Sequence, residues 1–162
     1  MKTKKAKRII LSLCLVTIAG VGFTGCSDDD KPNNNAKANI KFTFKVTGTD
    51  ANDQIDFQAG AGNHDASQYG APVWKINGVT QGNESTVSLD EQDFIGSTKQ
   101  YVVETVKPYN FGNLIVNYVN IDGGPITISY KAEVDGKVET NIENLVINAG
   151  QSDTKNYSYK AP

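Results

Sequence analysis

The sequence predicts an all-β domain, a single antiparallel β-sandwich of about eight or nine short strands, and three observations predict it. Apolar residues alternate with polar ones at period two rather than 3.6. Turn residues recur at intervals near ten. No stretch beyond residue 39 keeps an amphipathic helical pattern for three turns. A small β-barrel is the alternative closure of the same pattern.

The elements follow in order. Ile40, Phe42, Phe44 and Val46 alternate with Lys41, Thr43, Lys45 and Thr47, which gives a strand with one apolar and one wet face. Strands are expected at residues 54–59, 72–76, 85–89, 99–107, 114–121 and 154–160. They are separated by Gly60-Ala61-Gly62, Asn77-Gly78, Gly82-Asn83, Gly112-Asn113, Asp122-Gly123-Gly124-Pro125 and Gly150. The clearest hairpin runs through Ile126, Ile128, Tyr130, Ala132 and Val134, turns at Asp135-Gly136 and returns through Val138. On the return, Val138 and Ile142 hold one phase and Leu145 and Ile147 the other, so a bulge is expected near Glu143-Asn144. The Cys…Trp…Cys spacing of antibody domains is absent and no internal repeat is visible, so the sandwich is immunoglobulin-like in architecture only.

Residues 1–25 are of another kind. Lys2, Lys4, Lys5, Lys7 and Arg8 precede an uncharged apolar run from residue 9 to 23, and then come Phe23-Thr24-Gly25-Cys26. The run of about 15 residues makes about 22 Å of helix, short of the roughly 30 Å of a bilayer core. It reads as a signal peptide. Thr24-Gly25-Cys26 resembles the lipobox of bacterial lipoproteins, which implies that Cys26 is lipidated and becomes the mature N-terminus. At about 0.8 kcal/mol per buried methylene, its two or three acyl chains would anchor the protein durably. Ser27, Asp28, Asp29 and Asp30 resemble the Bacteroidetes-type export signal, which implies the outer face of the outer membrane; the plainer reading is an acidic linker. Residues 26–39 lack large apolar side chains and form a flexible tether of about 20 Å r.m.s. span, leaving residues 40–162 as one domain.

Charge and cysteine content exclude several classes of function. Taking the leader's five basic residues from 16 leaves 11 against 18 acidic ones, a net charge of −7, and removes Arg8, the only arginine. Such a chain is a poor partner for phosphate backbones, so no nucleic acid is expected. Cys14 leaves with the leader and Cys26 carries lipid, so the domain rests on its core without a disulfide.

Catalytic residue types are few. His64 is the single histidine. His64, Asp65 and Ser67 lie too close together in the chain for the histidine to sit between nucleophile and orienter. Paired carboxylates of the glycosidase type remain open, although no pair stands out. Asp50, Asn52, Asp53 and Asp56 supply oxygen donors at short spacing, the chemistry of calcium, but Ile55 and Ala61 stand where an EF-hand loop needs Gly and Glu. The same residues are ordinary turn formers. Among the aromatics, Trp74 reads as core, whereas Tyr69, Tyr109 and Phe111 lie in Gly- and Pro-containing segments where rings could stack on a sugar or a partner. A loop plug over the sandwich end is the other reading of Tyr109 and Phe111.

These readings combine into a surface lipoprotein without enzymatic activity that binds a glycan or protein, or serves in adhesion or assembly. An envelope inhibitor or immunity protein is one alternative. A lipid-anchored carboxylate hydrolase is the other, recognisable by carboxylates converging in a concave pocket.

Overall fold

The computed structural model describes residues 35–96 and 99–162. Residues 1–25, Cys26, Ser27, Asp28, Asp29 and Asp30 lie outside the described residues.

The strands are β1 (Ile40–Thr47), β2 (Gln54–Gly62), β3 (Trp74–Ile76), β4 (Val79–Thr80), β5 (Thr86–Asp90), β6 (Gln100–Thr105), β7 (Phe111–Val119), β8 (Ile126–Val134), β9 (Lys137–Ile147) and β10 (Ser152–Lys160), with one helical turn, α1 (Glu91–Phe94). They form two antiparallel sheets, β4-β3-β6-β1-β8-β9 and β10-β7-β2-β5. β1 and β2 are consecutive yet belong to opposite sheets, so residues 48–53 cross from one layer to the other.

Period two decides what the layers bury. Phe42, Phe44 and Val46 of β1 face Ile55 and Phe57 of β2, with Leu114, Val116, Ile126 and Ile128 completing the interior. Phe44 and Phe57 stack across the layers at 4.4 Å. Each fully buried side chain of this size contributes about 1.5–3 kcal/mol. The layers stay open at both edges and are joined there by side chains rather than by a backbone ladder, which makes a sandwich and not a barrel. At one edge Tyr130 Oη and Tyr157 Oη lie 2.8 Å apart, and Tyr159 Oη donates to Thr140 Oγ1 at 3.0 Å. At the other, Trp74 Nε1 donates to Ser85 O at 3.0 Å.

The hairpin turn is the expected two-residue one, with Asp135 and Gly136 both at positive φ (47° and 80°). The bulge falls where the phase change places it. Ser129 stands opposite Glu143 and Asn144, Asn144 has φ 52°, and its N–H donates to Ser129 Oγ at 3.0 Å. A second register shift at Ala132/Glu133, the two-residue β4 and the helical turn were not foreseen. α1 is too short to show a helical period. It forms because Asp90 and Asp93 make a capping box and Phe94 is buried beneath it. The chain joins the fold before the alternating pattern begins: Ala38 is buried and exchanges two backbone hydrogen bonds of 2.9 Å with Tyr109.

Candidate functional site

One end of the sandwich, where the chain enters at Ala36 and Ala38, is built on buried amides. Asn110 N donates to Asn63 Oδ1 and His64 N donates to Asn110 Oδ1, both at 3.1 Å, so each amide side chain holds the other segment's backbone. Gln68 Oε1 accepts from Asn63 N at 3.0 Å, and Asn110 Nδ2 donates to Ala36 O at 2.6 Å. Asn63, Gln68 and Asn110 are all buried. Their exchange ties the 63–69 loop, the start of β7 and the entering chain into one rigid base. Nothing in the sequence marks Gln68 or Asn110 for this role, because an amide in a loop carries no periodic signal.

Two expected aromatics stand on this base and one does not. Tyr69 is 72% exposed and Phe111 37% exposed. The Phe111 ring lies against Gly62 and 5.6 Å from the His64 ring. Tyr109 is a correction, for its ring is fully buried. Its bridge to Ala38 fixes the backbone so that the side chain points between the layers, with Lys107 Nζ 5.8 Å from the ring centroid. Trp74 is core, as expected. The triad geometry does not form here. Hydrogen bonds from Ser67 hold the Asp65 carboxyl below its ordinary value, so Ser67 meets Asp65 directly with no imidazole between them.

The opposite end holds the expected oxygen donors, but not all four together. Asn52 N donates to Asp50 Oδ1 at 2.8 Å and Asp50 N to Asp53 Oδ2 at 2.9 Å, which closes a tight turn around the buried Asp53. Asp56 is a correction. It lies an odd number of residues from Asp53, so it projects from the outer face of β2, where it accepts from Gln54 Nε2 at 3.1 Å. Among the described residues, no three of His, Cys, Asp and Glu gather as metal ligands.

On the outer face of the larger sheet, Lys75, Glu104, Lys41 and Glu133 occupy one row across β3, β6, β1 and β8 and line a hollow of about 330 Å³. Glu133 Oε2 lies 3.0 Å from Lys41 Nζ and 3.2 Å from Lys131 Nζ. Both ammonium groups thus lie within ion-pair distance of the same carboxylate oxygen. Burial pushes the Glu133 carboxyl up, and the two ammonium groups outweigh it, leaving it below its ordinary value. Two carboxylates thus share a hollow, alternating with lysines along the row, and the lysines beside Glu133 favour its ionised form. That arrangement suits ion pairing better than proton donation.

The fold and its two ends define a class, the small antiparallel β-sandwich with elaborated loop ends. The sequence matches no protein-family model and no curated protein sequence. Solved structures from Bacteroidales share the fold. A structure from Parabacteroides distasonis, described as the calcium-bound form, matches with TM-score 0.59 at 15% identity, over 83% of this chain and 100% of that one. A DUF4425 domain of unknown function from Bacteroides vulgatus gives TM-score 0.57 at 13% identity over 77% and 97%. A DUF4425 family protein from Bacteroides ovatus gives 0.52 at 15% identity over 77% and 96%.

Proposed function

We propose that this protein is a lipid-anchored binding module of the outer membrane, displayed to the exterior and working without covalent chemistry. The observation that carries this reading is the entry end, where Tyr69 and Phe111 are exposed on a base locked by Asn63, Gln68 and Asn110. Exposed rings on rigid loops suit stacking on a sugar face or anchoring in a protein pocket, since little side-chain freedom is lost on binding. The leader supplies the location, and the Bacteroidales source of the similar folds fits its Bacteroidetes-type pattern. Tyr69→Ala combined with Phe111→Ala should leave the melting temperature within a few degrees and abolish retention on a glycan array or capture of a stoichiometric envelope protein. Unchanged retention would overturn the reading. Cys26→Ala should abolish palmitate labelling. Replacing Asp28, Asp29 and Asp30 with Ala should keep the label and remove surface accessibility to added protease.

A second reading concerns calcium. One similar fold is described as calcium-bound, and in this chain the turn at Asp50, Asn52 and Asp53 contains a buried carboxylate oxygen, Asp53 Oδ1, that no hydrogen bond satisfies. The domain takes a calcium ion at this turn, and a melting temperature that rises with millimolar calcium over chelator tests it.

A further inference from the structure

Three buried oxygens without hydrogen-bond partners sit at the end of the sandwich away from the chain's entry: Thr49 Oγ1, Asp53 Oδ1 and Asn120 Oδ1. The fold brings them together. Asp53 and Asn120 lie one step beyond the Gln54–Val119 pair in the β2–β7 register, and both continue the inward phase of their strands, Asp53 with Ile55 and Asn120 with Tyr118. Opposed residues on one face of an antiparallel pair have Cβ atoms about 4.5–5.5 Å apart. Thr49 immediately precedes Asp50, whose N–H is bound to Asp53 Oδ2 at 2.9 Å. The β1–β2 and β7–β8 connections abut here. Gly48, at φ 89°, passes against Pro125 O, and a side chain at Gly123 would come within 3.6 Å of Asp50 Oδ2.

The orientation of the Asn120 amide is not arbitrary. Its Nδ2 donates to Gly124 O and to Ile147 O, both at 2.9 Å, and turning it over would set an oxygen against two carbonyls. Oδ1 therefore faces away as an acceptor with nothing to accept. A carboxylate oxygen, an amide oxygen and a hydroxyl oxygen, with Asp53 only 5% exposed and Asn120 0%, make a buried set rich in acceptors. Left so, each orphan is costly. A hard cation answers all of them at once and neutralises the carboxylates. The set contains no sulfur or nitrogen, which argues against zinc and copper, and its mix of carboxylate, amide, hydroxyl and loop oxygens is that of calcium.

We infer that Asp53, Asn120 and Thr49, with Asp50 at the rim, form a calcium site that clasps the β1–β2 connection to the β7–β8 connection. This deepens the calcium reading above and rests on it, and it replaces Asp56 with Thr49 of the same connection and Asn120 from the end of β7. The ion would tie the two layers together at the end opposite the exposed rings.

The test uses the full-length lipoprotein in detergent, melted in chelator, in millimolar calcium and in millimolar magnesium. Calcium should raise the melting temperature of wild type and of Asp56→Asn by several degrees, magnesium by much less, and leave Asp53→Asn unmoved. Thr49→Val should melt at or above wild type in chelator, since an unsatisfied hydroxyl is gone, and should weaken the calcium midpoint by about tenfold. If wild type gains nothing from calcium, both the calcium reading and this site fall. If Asp53→Asn and Thr49→Val keep the full shift while Asp56→Asn loses it, calcium binds and this site is overturned. Should Asp53→Asn fail to fold, Thr49→Val alone decides, and an unaltered calcium midpoint in it sinks the site.

Discussion

Replacing Tyr109 by Ala and, separately, by Phe divides its ring from its hydroxyl, and the structure gives the two parts opposite signs. The ring is wholly buried, and an aromatic of this size removes about 150–250 Å² from water. At about 25 cal/mol per Å² that is roughly 4–6 kcal/mol, an upper bound, since the unfolded chain also hides some of the ring. Aromatic-to-alanine changes in cores cost about 3–5 kcal/mol, a large part of a total near 5–15. The hydroxyl is buried without a hydrogen-bond partner, and burial pushes its pKa up. Removing it should be neutral or stabilising by about 1 kcal/mol, because a desolvated, unmatched polar group disappears. Urea unfolding followed by the fluorescence of Trp74, the only tryptophan, reads both variants. Tyr109→Ala should lose about 3–5 kcal/mol at unchanged m-value, roughly 10–20 °C in melting temperature, and Tyr109→Phe should match or exceed wild type. A Tyr109→Phe loss above about 1 kcal/mol would mean that the hydroxyl is satisfied, and a Tyr109→Ala loss no larger than that of exposed Phe111→Ala would mean that the ring is not core.

Gly112→Ala would bring a Cβ within 2.6 Å of Ile40 Cδ1 in the packed interior, so it should cost about 1–3 kcal/mol in the same assay, whereas Gly124→Ala, with nothing nearby, should cost little. Burial raises the hydroxyls of Tyr109, Tyr118, Tyr130 and Tyr159 above the ordinary 10.0, so the folded chain keeps protons that the unfolded chain releases; stability should be full below pH 10.0 and fall as pH rises beyond it, with phenolate absorbance appearing together with unfolding. Glu133 has the reverse sign: its ion pairs stabilise the fold above the ordinary value of 4.5 and are lost as pH drops through the lower folded value. Glu133→Gln should therefore cost about 1–2 kcal/mol at neutral pH, discounted because both lysines are partly exposed, and the difference from wild type should close in acid.

Strand identity was written in the chain itself, because alternation is a local property that needs no partner. Phe42 and Phe44 had to share a face whatever lay across from them. Asp135-Gly136 likewise specified its turn through the left-handed conformations that the pair tolerates, and the switch from Ile142 to Leu145 recorded the bulge. The separation of Asp56 from Asp53 was legible too, since an odd spacing along a strand means opposite faces. Elements that span only about one period cannot show a repeat, which is why β4 and α1 leave no periodic trace in the sequence. Tyr109 and Phe111 could not be told apart by alternation, because they share a phase and only the bridge to Ala38 turns the first ring inward. The pairing of β2 with β7 was beyond reach for the same reason. Which strands meet is decided by how two apolar faces close over one core, and only that closure sets Asp53 beside Asn120 and turns a run of turn-forming residues into a set of buried oxygens.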